Sequence, residues 1–392
     1  MSGQITVRRM QSRREMRAFH LFQWEIYRND PLWVPPLLPE RMEITDPERG
    51  MFFKRGEADF FAAFRANRMV GTICAARDRQ QIREIGRPEC VFGFFETLND
   101  RDVASALFRQ ADAWARDHGL TSLHGPFNLD YEDGYGILTE GRDRKPVILC
   151  GHTPPYYQEL VESLGFAPAR AANIARAVNL ADPPQELDRL ERAAEIARRR
   201  DRFRIRGADV KHWREEAVRV HHLLNNSLAN TGEARIPWPM EAVESLIRPV
   251  LKIADPDLVL FADRVGGPDD GTSIGWFAGI PNMNEIIEHL NGLRRPWDYL
   301  RVPFAYLHRP RGLAAKSLLV LPAKSLLVLP AYHSTGVAAL LFDEMRRRAQ
   351  AKRYSWIDLS LTSEANPQTP VIAARAGANV YKRYQVYRRA TA

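Results

Sequence analysis

The sequence predicts an α/β protein made of two similar halves, each a twisted mixed sheet flanked by helices. The length of 392 residues is typical of two domains. Strand-sized apolar runs alternate with stretches of helical periodicity, in the same order in both halves. The run Asp182-Pro183-Pro184 interrupts the pattern near mid-chain. We therefore expect an N-terminal domain over residues 1–182, a linker helix over 183–200 and a C-terminal domain over 201–392.

Composition is that of an ordinary globular protein. Hydrophobic residues make up 45% and charged residues 27% of the chain, and no apolar run approaches the roughly 20 residues that a membrane-spanning helix needs. The N-terminus has no apolar signal region. Cys74, Cys90 and Cys150 lack metal-ligand spacing and have apolar neighbours, which is typical of buried thiols in a reducing compartment. We expect a cytoplasmic protein with no membrane partner.

The net charge of +8 includes a dense arginine run from Arg198 to Arg206. We favour the interpretation that this run is a solvated helix surface. The alternative is a nucleic-acid patch, but Phe203 is its only aromatic residue and no nucleic-acid motif accompanies it. A third interpretation is that the excess charge attracts an anionic ligand, for which a nucleotide cofactor would qualify. Nucleic acid is therefore not an expected partner.

Periodicity and turn residues predict the elements of the first half. Asn67 and Arg68 indicate a tight hairpin, and Asn99 or Asp100 is expected to cap a long helix that ends at Gly119. The predicted strands are Ile5 to Arg9, Asp59 to Arg65, Met69 to Ala76, Cys90 to Thr97, Leu120 to His124 and Pro146 to Cys150. The other predicted helices are Glu15 to Tyr27 and Pro155 to Gly165.

The second half repeats this order of elements after a charged helix from Glu186 to Arg200. The predicted helices are Trp213 to Ala229, Met240 to Ile253 and one that begins near Gly336. The predicted strands are Phe203 to Ala208, Asp257 to Arg264, Ser273 to Ile280, Leu318 to Leu329, Trp356 to Leu361 and Val380 to Tyr387.

An octapeptide occurs twice in succession, as residues 315–322 and again as 323–330. Because its length is even, a strand that slips by one copy keeps the same face inward. Only the second copy adjoins the glycine-containing loop, so we assign that copy to the sheet. The first copy is then an insertion or an extension of the strand, and a recent tandem slip or an assembly error of the sequence explains the repeat.

The segment from Leu329 to Leu341 carries the best candidate for a ligand site. A buried strand runs into a short loop, and Gly336 opens an amphipathic helix. The first turn of such a helix offers unpaired N–H groups and a positive dipole end, and glycine lets the backbone approach a diphosphate closely. The structural alternative is a capped helix start, with Ser334 or Thr335 as the N-cap.

This segment resembles the GNAT acyltransferase superfamily. The signature there is Arg or Gln, two residues, Gly, one residue, and then Gly or Ala. Gly336 and Ala338 match it, whereas His333 stands at the first position. The resemblance implies that this loop and its strand bind acetyl-CoA or another acyl-CoA. The residues it assigns to the cofactor are Leu327, Leu329, His333, Ser334, Thr335, Gly336, Val337, Ala338 and Asn366.

A second part of the resemblance lies downstream. Members of the superfamily often show Asn, a Tyr seven residues later and a Gly eleven residues after the Asn. Asn366 and Gly377 keep that spacing, but Ala373 stands at the tyrosine position. In many members that tyrosine protonates the departing thiolate of CoA. Its absence puts the usual acid step in doubt, and Tyr381 or Tyr384 is the candidate substitute.

The first half resembles the same superfamily, and the whole chain looks like a group of bacterial tandem GNAT-like proteins of poorly defined function. The segments of the first half that carry this resemblance include Tyr27 to Pro36, Phe92 to Glu96 and Gly125 to Asn128. Its equivalent loop, Thr97 to Ala104, has acidic residues and no glycine. Because carboxylates there repel a diphosphate and suit a helix cap, we expect the N-terminal half to have lost cofactor binding.

The resemblance implies direct acyl transfer, in which an amine attacks a thioester carbonyl. Backbone N–H groups near Leu327 to Leu329 would polarise that carbonyl. A general base takes the amine proton, and Glu285, Glu288 and His289 are the candidates. The alternative for each of these is a solvated side chain on a surface helix. The candidate catalytic residues are thus Glu285, Glu288 and Tyr384.

The leading hypothesis is an N-acyltransferase that acts on an unknown small-molecule or peptide amine, held at the domain junction. We expect Gly336→Glu to abolish CoA binding without unfolding the protein. One alternative is a catalytically inactive binding or scaffold protein, favoured by His333 and Ala373. Another is an aminoacyl transferase that takes its acyl group from a charged tRNA and uses the basic run.

Overall fold

A computed structural model describes residues 3–129, 135–227, 238–251, 255–305, 312–314, 326–365 and 373–392. The chain divides into two compact units. The first unit comprises Met1–Ala172, Asn284–Arg309 and Lys382–Ala392, and the second comprises Asn173–Met283 and Pro310–Tyr381.

Strands and helices alternate along the chain, as expected of an α/β protein. The strands are β1 (Ile5–Arg9), β2 (Gly56–Arg65), β3 (Arg68–Asp78), β4 (Glu89–Thr97), β5 (Ser122–Gly125), β6 (Ile137–Glu140), β7 (Ala167–Pro168), β8 (Asn173–Asn179), β9 (Phe203–Gly207), β10 (Val259–Arg264), β11 (Ser273–Ala278), β12 (Ile280–Pro281), β13 (Gly312–Ala314), β14 (Leu326–Val328), β15 (Trp356–Asp358), β16 (Thr362–Ser363), β17 (Asn379–Gln385) and β18 (Tyr387–Ala390). The α-helices are α1 (Arg13–Leu21), α2 (Gln23–Ile26), α3 (Leu38–Ile44), α4 (Arg79–Ile85), α5 (Arg101–Asp117), α6 (Tyr156–Ser163), α7 (Glu186–Arg199), α8 (Trp213–Ser227), α9 (Met240–Val250), α10 (Asn284–Ile287), α11 (Val302–Ala305) and α12 (Val337–Ala351). Short 3-10 helices span Met51–Lys54, Val210–His212, Pro256–Leu258, Glu288–Leu293, Pro296–Arg301 and Pro330–Tyr332.

The first unit is built on a seven-stranded sheet in the order β1-β2-β3-β4-β5-β18-β7. The predicted β2–β3 hairpin is present, but it turns at Ala66 and Asn67, which both have positive φ, and the predicted turn residue Arg68 begins β3. Strands β4 and β5 are parallel, and α5 packs its apolar side on the sheet. The last strand of the chain, β18, pairs with β5 and β7, and Arg383–Gln385 of β17 pair with β6.

The second unit contains a four-stranded sheet in the order β14-β11-β10-β9. Strands β13, β15 and β8 form part of a further sheet, in which β15 is parallel to β13 and antiparallel to β8. Helices α7 and α12 pack together over a core that includes Leu187, Ala194, Leu341 and Met345.

Several boundaries differ from those in the sequence analysis. Strand β8 precedes residue 182 but pairs with β15 and β16 of the second unit, and β18 pairs in the first. The predicted linker helix, α7, is part of the second core. The predicted strand at 146–150 is wrong, because this segment forms a turn closed by the Cys150 N–H on the Val147 carbonyl oxygen at 3.0 Å. Pairing of distant segments overrides local periodicity in these places.

Candidate functional site

The predicted phosphate loop lies between β14 and α12 of the second unit. Strand β14 falls within the second copy of the octapeptide, as assigned from the sequence, and the first copy lies outside the described residues. A 3-10 turn follows at Pro330–Tyr332. Gly336 then takes the left-handed conformation, with φ 88° and ψ 0°, and α12 begins at the next residue. A positive φ at this position explains why glycine stands there.

The start of α12 has no side-chain cap. Gly336 is the N-cap residue, and the first turn contains no acidic residue. The predicted alternative of a Ser334 or Thr335 cap is wrong, because Thr335 Oγ1 instead donates to the Tyr332 carbonyl oxygen at 2.7 Å. The first-turn N–H groups of a helix have no intrahelical acceptor, and within the described part of the chain no side chain replaces one here. This helix start is therefore suited to an anion.

Gly336 also packs closely against helix α7. A Cβ atom added to Gly336 would lie 3.0 Å from the Cβ of Ala197. A side chain there is strained both by the positive φ and by this contact. The expectation that Gly336→Glu would leave the protein folded is therefore not supported, and a clean test of ligand binding needs another position.

His333 is bonded to the end of β14. Its Nε2 lies 2.9 Å from the Val328 carbonyl oxygen. The first position of the motif is thus tied to the strand through this nitrogen, which is not directed to a diphosphate. The Val337 side chain is fully buried in the core, so only its backbone is available to a ligand.

The outer edge of β14 singles out one N–H group from the predicted stretch Leu327 to Leu329. The Leu329 N–H donates to the Ile274 carbonyl oxygen at 2.9 Å, so it belongs to the sheet. The backbone N–H and C=O groups of successive residues point to opposite sides of an antiparallel strand. The backbone groups of Leu327 therefore also point to β11, and those of Val328 point away from it. The Val328 carbonyl accepts from His333 on that outer side. Val328, rather than Leu327 or Leu329, presents the N–H that can polarise a carbonyl.

The predicted catalytic residues belong to the first unit. Glu285 lies in α10, and Glu288 begins the 3-10 helix that follows it. Tyr384 lies on β17 and is fully buried, with its hydroxyl donating to the Gly151 carbonyl oxygen at 3.0 Å. This burial disfavours a role for Tyr384 as the acid. Asn366 lies outside the described residues.

A cavity of about 620 Å³ in the first unit contains Glu288 in its wall. The Glu288 carboxylate pairs with Lys145 Nζ at 2.6 Å, and His289 Nε2 lies 3.5 Å from its other oxygen. On another wall Tyr27 and Trp33 stack with their ring centres 5.0 Å apart. The lining residues are Trp24, Glu25, Tyr27, Arg28, Asp30, Pro31, Trp33, Pro35, Lys145, Glu288, His289, Asn291 and Arg294. Of the predicted bases, Glu288 and His289 therefore share a cavity, and Glu285 is not in its lining.

A half-buried carboxyl group that the sequence analysis missed is bonded to Tyr27 of this cavity wall. Glu96 Oε2 accepts from Tyr157 Oη at 2.7 Å and from Tyr27 Oη at 3.1 Å. Burial raises the pKa of Glu96 to about 7, against the opposing effect of these hydrogen bonds and of Arg41. Perturbed carboxyl groups beside cavities are often functional. The signal in the sequence was a single glutamate at the end of the phenylalanine-rich strand β4.

The second unit contains another buried polar cluster. The Asp358 carboxylate accepts from Ser360 Oγ at 2.6 Å and also from Tyr381 Oη. Asp358 is fully buried and lies at the end of β15. Tyr381, one of the two tyrosines considered as a substitute acid, is thus held by a carboxylate that the sequence analysis did not single out.

The two ends of the basic run are paired with carboxylates. Arg198 pairs with Glu195 at 2.7 Å and with Asp343 at 2.9 Å. Arg206 pairs with Glu216 and with Asp263, each at 2.6 Å. These pairs neutralise both ends of the run and favour the interpretation of structural surface.

Among the described residues, no cluster of His, Cys, Asp or Glu has the arrangement of a metal site. In the same part of the chain, no helix combines the length and the apolarity needed to cross a membrane.

Comparison with solved structures identifies the architecture. A tandem GNAT protein from the clavulanic acid biosynthesis pathway is similar over 99% of both chains, with a TM-score of 0.58 and 13% identity. A GCN5-related N-acetyltransferase from Sphaerobacter thermophilus is similar over 99% of this chain and 96% of its own, with a TM-score of 0.53 and 14% identity. The chain has the GNAT fold. This confirms the fold expected from the resemblance of the Gly336 loop and of the first-half segments to the GNAT superfamily.

Two sequence relatives extend along almost the whole of this GNAT-fold chain. A protein of Caulobacter vibrioides (strain NA1000 / CB15N) named bacterial ceramide synthase is 28% identical over 384 residues, 96% of this chain and 95% of the relative. Protein YghO of Escherichia coli (strain K12) is 25% identical over 393 residues, 98% of this chain and 95% of the relative. No family model matches the chain.

The residues at the β14–α12 junction of the GNAT fold fit the diphosphate of an acyl-CoA. The helix start has no cap and no carboxylate, and Gly336 adds no side chain. The outer edge of β14, the strand that precedes this helix, presents the Val328 N–H. Both places offer backbone N–H donors with no carboxylate in the first turn of the helix. An acyl-CoA needs such donors for its anionic diphosphate and for the carbonyl oxygen of its thioester.

Proposed function

We propose that this protein is an N-acyltransferase that transfers an acyl group from acyl-CoA to an amine, with the acyl-CoA bound at the β14–α12 junction. The uncapped start of α12 is the observation that carries the proposal. It supplies unpaired N–H groups and a positive dipole end for a diphosphate. The GNAT fold supports the same ligand class.

In the proposed reaction, acyl-CoA supplies an electrophilic thioester carbonyl. The N–H groups at the start of α12, from Gly336 to Ala338, hold the diphosphate. The Val328 N–H donates to the carbonyl oxygen and stabilises the charge that develops there. The amine nitrogen forms a bond to the carbonyl carbon while the carbon–sulfur bond breaks, and the proton of the amine passes to a base as the thiolate takes one up. Glu288 remains our candidate base, and we assign no role to Tyr384.

The proposed acceptor is the primary amine of a long-chain amino alcohol. Ceramide is the amide of such an amino alcohol with a fatty acid, and a relative along the whole chain is named bacterial ceramide synthase. We therefore expect a long-chain acyl-CoA to be a better donor than acetyl-CoA. Use of acyl-CoA and the three buried cysteines, which form no disulfide, both fit a cytoplasmic location.

The test measures amide formation and CoA release by the purified protein with a long-chain acyl-CoA and a long-chain amino alcohol. Ser334→Glu places a carboxylate beside the helix start at an exposed position, and Ser334→Gln is its uncharged control. We expect Ser334→Glu to weaken acyl-CoA binding about tenfold, equivalent to about 1.4 kcal/mol of repulsion. The glutamine variant should bind like the wild type.

Binding is read independently of turnover by thermal unfolding with and without acyl-CoA. A ligand at about 100 times its Kd adds roughly 2.7 kcal/mol to the free energy of unfolding. Equal stabilisation of the two Ser334 variants would overturn the placement of the diphosphate. Binding without any amide product would instead favour the non-catalytic protein that His333 and Ala373 point to.

A further inference from the structure

The insert from Asn284 to Ala305, part of the first unit, presents an unusual apolar surface. Trp297 is 57% exposed, Tyr299 52%, Leu300 73% and Phe304 68%. These four side chains fall within eight successive residues, and the three rings are the only large aromatic side chains that are exposed in the described part of the chain. We call them the 297–304 face. Apolar exposure that is concentrated in this way marks an interaction site more often than scattered residues do.

The backbone that carries this face is firmly anchored. Asp298 is fully buried, and its carboxylate accepts from the Arg295 N–H at 2.9 Å and from Asn291 Nδ2 at 3.1 Å. This capping fixes the 3-10 helix Pro296–Arg301. Gly292 lies against the ring of Trp24, where an added Cβ would approach to 2.4 Å. The insert is therefore held to the first unit while Trp297, Leu300 and their neighbours remain exposed.

The charge beside the face is cationic. Arg295 and Arg301 are exposed, and the Arg295 guanidinium lies 5.5 Å from the centre of the Trp297 ring. Asp298 is the one carboxylate between residues 289 and 305; it is buried, and its Oδ1 lies 3.9 Å from Arg301 Nε, which leaves Arg295 as the exposed cation without that partner. Apolar and aromatic side chains next to arginine, without an exposed carboxylate, have the composition of a segment that lies in the interface of an anionic bilayer.

We propose that the 297–304 face binds the surface of an anionic lipid membrane. A second copy of the chain fits this face less well, because a two-fold contact brings the same patch together from both copies and so places arginine against arginine. Anionic headgroups complement these arginines, while tryptophan and tyrosine favour the headgroup region. The expectation of no membrane partner rested on spanning segments, which have no bearing on binding at the surface.

This inference deepens the proposed function, because a long-chain amino alcohol partitions into membranes. The same insert supplies Glu288, Asn291 and Arg294 to the cavity of the first unit. The residues that contact lipid and three residues of the cavity wall would thus belong to the same short insert. The observation of the face does not depend on acyl transfer, so binding to lipid is tested separately.

The experiment is co-sedimentation of the full chain with vesicles of phosphatidylcholine alone or mixed with phosphatidylglycerol. The test variant combines Trp297→Ser, Leu300→Ser and Phe304→Ser. The matched control combines Val218→Ser and Ile196→Ser, which change side chains that are 57% and 56% exposed elsewhere on the protein. Leu300→Ser alone is a milder variant, should the triple variant fold poorly.

We expect the wild type and the control to bind the anionic vesicles, and the triple variant to bind them at least tenfold more weakly, with Leu300→Ser intermediate. Binding should fall as salt is raised, since headgroup attraction is screened. Equal binding of the wild type and the triple variant would overturn the proposal. So would failure of the wild type to bind, including a case in which the face instead supports a dimer seen by size-exclusion chromatography.

An activity measurement separates this proposal from the proposed function. Transfer to an amine embedded in vesicles should fall in the triple variant, whereas transfer to a short, water-soluble amine should stay unchanged. Vesicle binding without any transfer would sustain the membrane face and reject the enzyme assignment. Equal loss of both transfers would show that the substitutions act on folding or catalysis, and would contradict the membrane role.

Discussion

Both halves of the chain contain a strand–loop–helix junction, but only the first of the two helices has a side-chain cap. In the first unit β4 leads into α5, and in the second β14 leads into α12. Asp100 caps α5 by accepting from the N–H groups of Asp102 at 3.0 Å and of Val103 at 3.3 Å. Helix α12 begins at Gly336 without any such acceptor among the residues that the structure describes.

The strand ends differ in the same sense. In the first unit, Asn128 Oδ1 accepts from the Phe94 N–H at 2.8 Å, and the backbone near Phe127 covers Gly93. The corresponding edge of β14 bears His333 on the Val328 carbonyl. The first junction therefore satisfies donors with its own side chains, whereas no described side chain does so at the start of α12. Two junctions of the same fold can thus differ in chemistry, because that chemistry depends on a few side chains.

The largest effect is expected from filling the closed junction. An added Cβ at Gly93 would lie 1.7 Å from the Phe127 carbonyl oxygen, a contact that only backbone movement can relieve. We expect Gly93→Ala to lower the free energy of unfolding by about 3 kcal/mol or more. Gly336→Ala at the open junction meets only a 3.0 Å contact and a positive φ, and should cost about 1 to 2 kcal/mol.

Chemical denaturation gives these free energies, and hydrogen exchange of the β4 peptide shows whether the loss is local to the first unit. A Gly93→Ala variant as stable as the wild type would mean that the segment at Phe127 does not close the junction.

A smaller effect is expected from removing the cap of α5. Asp100→Ala loses two hydrogen bonds to the helix start and an ion pair with Arg65 at 2.8 Å. We expect a loss of about 1 to 2 kcal/mol in unfolding free energy. The control is Asn99→Ala, at the exposed neighbouring position.

The same variant sharpens the comparison of the junctions. Asn128 and the Phe127 backbone still occupy the strand end in Asp100→Ala, so acyl-CoA should gain no second site. Calorimetric titration measures this number of sites. A new site in Asp100→Ala would show that the cap alone distinguishes the halves.

Local chemistry made the junctions largely predictable from the sequence. An acidic residue before a helix indicates a cap, and a glycine after an apolar strand indicates a close approach. Asp100 is one of the two caps predicted for α5, and Gly336 opens α12 as predicted, although Ser334 and Thr335 were the alternatives for its cap. The hairpin at Asn67 was predictable for the same reason, because turn residues act within a few positions of the chain.

Long-range pairing accounts for what the sequence could not predict. Nothing in the periodicity of β18 indicates that it pairs between β5 and β7, and nothing in that of β8 assigns it to the second unit. The edge N–H of Val328 depends on the register with β11, which is fixed only when the sheet forms. The cavity around Glu288 depends on an insert that returns to the first unit from more than a hundred residues away.

The smallest predicted effect concerns the carboxyl group at the end of β4, for which β14 has no equivalent. Burial raises the pKa of Glu96 to about 7 from a usual value of 4.5, so the folded protein holds a proton there that the unfolded chain has already lost. The stability from this proton is present in full below about pH 4.5 and is lost as pH rises through 7. The wild type should lose about 1 kcal/mol of unfolding free energy between pH 6 and 8, and Glu96→Gln should not.

Unfolding curves of the two proteins over this range isolate Glu96, since the other titrating groups are common to both. His20 and His124, whose pKa values burial lowers to about 3, affect stability below the usual pKa of 6.5, and Lys382, whose pKa burial lowers to about 8, does so mainly above pH 8. Parallel curves would mean that Tyr27 and Tyr157 stabilise the ionised carboxylate fully. The end of β4 would then carry a charged carboxylate beside Tyr27 of the cavity wall. It would not be the neutral strand end, with its polar groups hydrogen-bonded within the first unit, that the comparison with β14 assumes.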